Sequence, residues 1–180
     1  MTDTTVSPRR GNPLRPYVWG GAALLLSIPA IAMLFTDEVD WDGTDFIVMG
    51  ALLAFACGVY EVGARLSGSR AYRAGFALSI VTGFLMVWIN LAVGIVGSED
   101  NPVNLLFFAI LLVGAIAAPL GRFTPRNMAR ALYATAIAQA LVTIWIALMG
   151  DFVFVLSGFF IAAWLSAAHL FNVAAEEQAA

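Results

Sequence analysis

Residues 65–97 read RLSGSRAYR and then AGFALSIVTGFLMVWINLAVGIVG, and the acidic turn Ser98-Glu99-Asp100 follows directly. A basic segment, a long apolar run and an acidic turn thus succeed one another within one stretch of chain. A helix of about 20 apolar residues crosses a hydrocarbon core of about 30 Å. The stretch therefore predicts a transmembrane helix whose basic end lies on the cytoplasmic side of the membrane.

Basic and acidic side chains alternate between successive loops along the whole chain. All basic residues are arginines, and they occupy the N-terminal tail, the second loop and the fourth loop: Arg9, Arg10, Arg15, Arg65, Arg70, Arg73, Arg122, Arg126 and Arg130. The loops between them carry acids instead: Asp37, Glu38, Asp40, Asp42, Asp45, Glu99, Asp100 and Asp151. Since cytoplasmic loops of membrane proteins are enriched in basic residues, both termini are predicted to be cytoplasmic.

The composition is that of a chain embedded in lipid. Hydrophobic residues make up 61% of the sequence and charged residues 12%, and the mean hydropathy is +0.87. A soluble domain carries about 25% charged residues. The lipid bilayer is therefore the expected surrounding, and the absence of a strongly basic surface in the sequence argues against a nucleic-acid partner.

The apolar runs predict an all-α fold, a polytopic membrane bundle. Its six transmembrane helices are expected at about 17–35, 46–66, 74–97, 102–120, 128–149 and 152–171. In this prediction residues 17–171 form a single domain. A disordered cytoplasmic tail at 1–16 precedes it, and a cytoplasmic tail at 172–180 follows it.

Two alternatives stay open at this level. The first apolar run ends near Ala30-Ile31-Ala32, which has the form of a signal-peptide cleavage site. Because the run is longer than a usual signal core and bulky residues follow it, an uncleaved first helix is preferred. Separately, Arg73 precedes Trp88 as Arg130 precedes Trp145, which hints at an internal duplication. Chance similarity between alanine-rich helices is the preferred explanation.

Small residues recur every fourth position on several predicted helices. Gly50, Ala54 and Gly58 do so on the second helix, and Gly158, Ala162 and Ser166 on the sixth. In lipid, where apolar helices gain nothing by hiding from water, small residues let helix backbones approach closely. These stripes predict a compact bundle.

A few polar side chains fall inside the predicted spans. Gln139, with Thr135 and Thr143 one turn to either side, and Asn90 are candidates for the polar lining of a solute path. Interhelical hydrogen bonds that fix packing are the preferred interpretation. Glu61 is a carboxylate within the second span. It is interpreted as an interfacial ion pair with Arg65 in preference to a proton relay.

The acids of the first and third loops could in principle bind a divalent cation. Asp37, Glu38, Asp40, Glu99 and Asp100 would have to converge for this, and their spacing matches no known calcium loop. Solvated acids and helix caps are preferred. The single histidine, His169, cannot supply a zinc triad or both axial ligands of a haem, so no metal or cofactor is expected.

One long segment also carries a resemblance. WINLAVGIVGSEDNPVN at 88–104, with FTDEVDW at 35–41 and PRNMAR at 125–130, resembles segments of a family of small, uncharacterised, polytopic bacterial inner-membrane proteins. The resemblance covers most of the chain outside its tails. It implies a polytopic protein of the bacterial cytoplasmic membrane and implies no activity, substrate or cofactor.

Together these observations predict a membrane protein without catalytic activity, in an accessory or structural role, associated with itself or with another membrane protein. The alternative is a small transporter or channel for a cation or small solute, lined by Asn90 and Gln139. A third possibility is an embedded enzyme acting on a lipid or quinone. Reactive motifs such as G-x-S-x-G are missing from the sequence, which places that third possibility last.

Overall fold

The structure is a computed structural model that describes residues 14–180. The N-terminal tail, including Arg9 and Arg10 and most of the predicted disordered segment, lies outside the described residues. The elements are α1 (Arg15–Ala32), α2 (Gly43–Leu66), α3 (Arg70–Ala92), a 3-10 turn (Pro102–Asn104), α4 (Leu105–Leu120), α5 (Pro125–Leu148) and α6 (Phe154–Glu177). No strand occurs between residues 14 and 180, and the all-α prediction is confirmed.

Within this described range, five helices are long and apolar enough to cross a membrane. They are α2, α3, α4 together with its 3-10 turn, α5 and α6. Helix α1 has 18 residues and contains Pro29. It spans about 27 Å, slightly less than a hydrocarbon core of about 30 Å. The sixth predicted crossing stays a prediction.

The chain divides into two compact units inside α2, the first ending at Glu61 and the second running from Val62 to Ala180. The expectation of one domain over 17–171 stays a prediction. The first unit includes a lightly packed helix α1, since none of the residues of that helix is buried among the described residues. Its helices approach at Gly50, where an added Cβ would lie 3.7 Å from Leu26 Cδ2.

The second unit is built around four helices. Helix α5 packs between α4 and α6, and α6 packs against α3, which also contacts α4. The Ser69 hydroxyl before α3 donates to the Glu177 carboxylate at the end of α6, over 2.7 Å. The Tyr72 hydroxyl donates to the Phe123 carbonyl in the α4–α5 loop, over 2.9 Å. The arginine-bearing segments of this unit therefore lie at one end of the bundle, as the alternating loops predict.

Helix α3 ends at Ala92, earlier than the predicted residue 97. Gly94 and Gly97 have φ values of +73° and +68°, a left-handed conformation that glycine adopts readily and that no helix can continue through. The buried Asn104 side chain holds this turn. Its Oδ1 accepts from the backbone N–H groups of Ile95 at 3.0 Å and Val96 at 2.9 Å.

Other helix ends also differ from the prediction, among them the start of α2 and the end of α6. Helix α2 begins at Gly43, because Asp42 Oδ1 accepts from the N–H groups of Thr44 and Asp45 while Asp45 Oδ2 accepts from the N–H of Asp42. This reciprocal arrangement caps the exposed N–H groups of the first turn. Helix α6 continues to Glu177, six residues past the predicted end at residue 171, so most of the predicted C-terminal tail is helical.

The α4–α5 loop is tight. Arg122 and Phe123 have φ values of +52° and +53°, which non-glycine residues rarely adopt. Asn127 Nδ2 donates to the Gly121 carbonyl at 3.0 Å, and Tyr72 holds the Phe123 carbonyl. Side chains from α5 and α3 thus fix a strained turn at the arginine-bearing end.

Candidate functional site

The middle of the second unit contains two polar side chains whose hydrogen-bonding capacity is unused. Gln139 on α5 is 0% exposed, and neither its Oε1 nor its Nε2 has a partner among the described residues. Trp164 on α6 is 3% exposed, and its Nε1 has no partner in the same range. We call Gln139 and Trp164 the mid-bundle site. A buried amide without a hydrogen bond costs several kcal/mol in a hydrocarbon-like medium, roughly 2–7.

Close helix contacts place both side chains at one level of the bundle. A Cβ added to Gly83 of α3 would lie 3.9 Å from Trp164 Cη2 and 3.7 Å from Leu111 Cδ2 of α4. One turn along, a Cβ on Gly114 would lie 2.9 Å from Thr135 Oγ1. Gln139 lies one turn from Thr135 on the same face of α5. Leu111 lies nearly one turn from Gly114 in the same direction along the bundle, so Gln139 is at about the level of the Leu111–Gly83–Trp164 contact.

A second pair of buried polar atoms lies nearer the acidic-loop end. Asn90 on α3 and Ser157 on α6 are 3% and 1% exposed. Within residues 14–180, Asn90 Oδ1 and Ser157 Oγ lack hydrogen-bond partners. Each is about 10 Å along its helix from the Gly83–Trp164 contact, in the same direction. We call Asn90 and Ser157 the outer polar pair.

Apolar layers separate these levels. Met86, Phe107 and Phe160 are all 0% exposed, and each lies about one turn outward from the level of Gly83, Leu111 and Trp164. On the other side, Tyr72 and Phe171 make an edge-to-face contact with ring centroids 5.0 Å apart. The mid-bundle site is thus enclosed by large apolar side chains at both ends.

The predicted threonines are satisfied within their own helix. Thr135 Oγ1 donates to the Ala131 carbonyl at 3.0 Å, and Thr143 Oγ1 donates to the Gln139 carbonyl at 2.7 Å. Both are buried on the same face of α5 as Gln139. Each hydroxyl oxygen retains accepting capacity, so the threonines extend the polar face without being orphaned groups.

Asn90 and Gln139 form no hydrogen bond with each other. Asn90 Nδ2 donates to the Met86 carbonyl of its own helix at 2.7 Å. The amide of Gln139 is roughly 10 Å away along the bundle axis. The two residues therefore belong to different levels, and neither an interhelical amide pair nor a shared polar cluster joins them.

Glu61 makes an ion pair with a residue of α1. Its Oε1 is 3.0 Å from Arg15 Nε and accepts from Trp19 Nε1 at 2.6 Å, both on α1. The Glu61 side chain is 12% exposed and that of Arg15 is 64% exposed. An arginine of α1 thus pairs with Glu61, and the predicted pairing with Arg65 stays a prediction.

The predicted acidic cluster is exposed throughout. Asp37, Glu38 and Asp40 lie in the α1–α2 loop, and Glu99 and Asp100 lie in the α3–α4 loop. No three His, Cys, Asp or Glu side chains come together to hold a metal ion between residues 14 and 180. Asp42, directly before α2, and Asp45, in the first turn of α2, act as helix caps.

The buried polar residues that the sequence analysis missed include Trp164, Ser157 and Asn104. Trp164 offers a signal, because tryptophan favours the membrane interface and here lies in the middle of a span. Ser157 offers little, since serine is common in membrane helices. Asn104 offers a partial signal, an amide in the turn after Asn101-Pro102. Its Nδ2 also donates to the carbonyls of Val96 and Ser98.

No protein-family model, curated protein or solved structure matches the chain.

Proposed function

We propose that the chain is a multi-pass protein of the bacterial cytoplasmic membrane, with both termini cytoplasmic, that has no catalytic activity and acts by associating with a second membrane helix bundle. The observation that carries this proposal is the outer face of α6. Gly158, Ala162 and Ser166 are all exposed on the surface of the chain. A Cβ added to Gly158 would meet nothing within 4 Å. We call these three residues the α6 association surface.

The chemistry of this surface suits helix–helix contact in lipid. Two apolar helices gain no hydrophobic free energy by meeting there, so close backbone approach over small residues supplies the attraction. The Ser166 hydroxyl already donates to the Ala162 carbonyl at 2.7 Å, so it brings no unsatisfied donor to an interface. The bundle inside the unit does not use this stripe. A second copy of the chain or another membrane protein is the expected partner.

The test compares two identical substitutions on exposed alanines. Ala162→Leu should block close approach at the α6 association surface. Ala134→Leu, at an exposed position of α5, serves as the matched control. Energy transfer between labelled copies in liposomes, with pull-down in mild detergent, measures association. We expect Ala162→Leu to lower association at least tenfold and Ala134→Leu to leave it unchanged. Equal association in both variants, or a monomer with no partner, would contradict the proposal.

The orientation is tested separately by labelling. In a Cys57→Ser background, a membrane-impermeant maleimide applied from outside should label Glu99→Cys and spare Arg126→Cys. The reverse pattern would overturn the cytoplasmic placement of the arginine-bearing loops.

Passage of a small solute is a second candidate function, and the mid-bundle site is the observation that favours it. Protein in liposomes should then pass a neutral solute, with flux lost in Gln139→Leu and Asn90→Leu while both variants remain folded. Flux that persists in both variants would remove this candidate without touching the α6 association surface.

A further inference from the structure

We propose that the mid-bundle site is an occluded binding site for a small neutral molecule that both donates and accepts hydrogen bonds. Three hydrogen-bonding groups at this site have no partner within residues 14–180. Gln139 offers a donor and an acceptor and Trp164 offers a donor, all three without partners in the described part of the chain. An isolated buried polar atom is tolerated in many proteins, but two adjacent helices presenting several at one level indicate an occupant.

The helical surroundings explain why the backbone around the site does not satisfy these groups. Backbone N–H and C=O groups in helix interiors are already paired within the helix. The nearest side-chain hydroxyls on α5, those of Thr135 and Thr143, donate to their own backbone. The helix backbone therefore supplies no partner for the Gln139 amide, and the side chains of residues 14–180 leave its Oε1 and Nε2 unpaired.

The charge of the occupant follows from the buried polar residues. They are all neutral in this unit: Thr82, Asn90, Asn104, Thr135, Gln139, Thr143 and Ser157. A buried ion would need a charged partner or several aligned dipoles to offset its lost hydration. An amide, urea, alcohol or water molecule needs only the donors and acceptors that Gln139 and Trp164 present.

The apolar layers define access to the site. Met86, Phe107 and Phe160 lie between the mid-bundle site and the outer polar pair, and all three are fully buried. A molecule coming from the acidic-loop end would meet Asn90 and Ser157 first and would reach Gln139 when these side chains rearrange.

Water and a small organic solute share this chemistry, and one experiment separates them. The full chain is placed in lipid nanodiscs with ¹⁵N-labelled tryptophan and glutamine side chains. Trp164→Phe assigns the Trp164 indole signal, and the lipid-facing Trp145, which is 44% exposed, provides an internal control signal. Acetamide and glycerol are titrated as neutral probes, and acetate and ethylammonium as charged probes of similar size.

A solute site predicts a saturable shift of the Trp164 indole N–H with acetamide or glycerol, no shift with the charged probes, and an unchanged Trp145 signal. Gln139→Met, which keeps the length of the side chain and removes its amide, should weaken the apparent affinity at least tenfold. A water site predicts magnetisation transfer from water to the Trp164 N–H and the Gln139 amide, with no saturable response to any probe.

The proposal is overturned if the Trp164 and Gln139 signals report neither water nor a saturable solute. It is also overturned if Gln139→Met leaves the Trp164 response intact. Should that variant fail to fold, Trp164→Phe read out through the Gln139 amide signals tests the same site. The inference is independent of association through α6, and binding without flux would preserve the site while removing the transport candidate.

Discussion

Asn104 and Gln139 are both buried carboxamides, but within residues 14–180 only the Asn104 side chain has hydrogen-bond partners. Asn104 lies in the turn that joins α3 to α4 and bonds to four backbone groups of residues 95–98. Gln139 lies in mid-helix, and its amide bonds to nothing in residues 14–180. Turns expose free backbone donors and acceptors, whereas helix interiors have none to spare. The same side-chain chemistry therefore stabilises a turn in one region and leaves a buried amide without a partner among the described residues in the other.

Replacing Asn104, whose amide is hydrogen-bonded to the backbone, should lower the free energy of unfolding more than any other change considered below. Asn104→Leu leaves the buried N–H groups of Ile95 and Val96 without a hydrogen-bond acceptor. Because each buried unsatisfied group costs about 1–3 kcal/mol, we expect the free energy of unfolding to fall by about 3 kcal/mol or more. Denaturant unfolding in detergent micelles measures this. Asn101→Ala, which removes a single cap bond to Val103, should cost only about 1 kcal/mol. Equal losses in the two variants would contradict this role for Asn104.

The turn that Asn104 holds can be tested through its backbone. Gly94→Ala places a Cβ against the Ser98 carbonyl oxygen at a φ of +73°, and we expect a loss of about 2 kcal/mol. Gly58→Ala is the control, because Gly58 is helical with open space around it. That change should raise the free energy of unfolding by about 0.5–1 kcal/mol. Thermal melting of both variants decides, and a Gly94→Ala protein as stable as the parent would refute the account.

At the opposite end of the bundle, Tyr72 bonds to a loop backbone group as Asn104 does. Its hydroxyl also finds a loop carbonyl, that of Phe123. Tyr72→Phe keeps the ring against Phe171 and loses the bond, so a loss of about 1 kcal/mol is expected. Because the bond supports a strained turn, backbone hydrogen exchange at residues 121–124 should also quicken. Unaltered exchange there would show that the hydroxyl does not hold the loop.

The smallest effect should come from a polar group that its own helix satisfies. Thr143→Val replaces a hydroxyl that donates to the Gln139 carbonyl with a methyl group of similar size. Intramembrane hydrogen bonds average about 0.6 kcal/mol, so the change in unfolding free energy should be near that value or below it. A loss above about 2 kcal/mol would mean that the Thr143 hydroxyl has a further partner.

The sequence predicts the coarse architecture well because hydrophobicity and charge are one-dimensional signals. The all-α class, the five apolar spans and the shared end of the arginine-bearing loops in the second unit all follow from the order of residues. Helix ends were less predictable. Apolar residues 93–97 favour a longer α3, and only the conformations of Gly94 and Gly97 and the side chain of Asn104 stop it.

The direction in which a helix face points was not predictable from a single sequence. The small-residue stripe at Gly158, Ala162 and Ser166 was expected inside the bundle and lies on its surface. Gln139 was expected to join an interhelical hydrogen bond, and the structure leaves its amide without one among the described residues. Both outcomes depend on the rotation of α5 and α6, which is set by packing at contacts such as Gly83 and Gly114.

Helix α6 is 24 residues long, about 36 Å, and therefore exceeds a hydrocarbon core of about 30 Å. Its last turn is tied to the start of α3 through Glu177 and Ser69. A fluorescent reporter joined just after this turn would tumble with the whole bundle and show high steady-state anisotropy. Such a fusion would make the rotation of a protein this small visible in a living membrane, and Ser69→Ala would lower the anisotropy by loosening the joint.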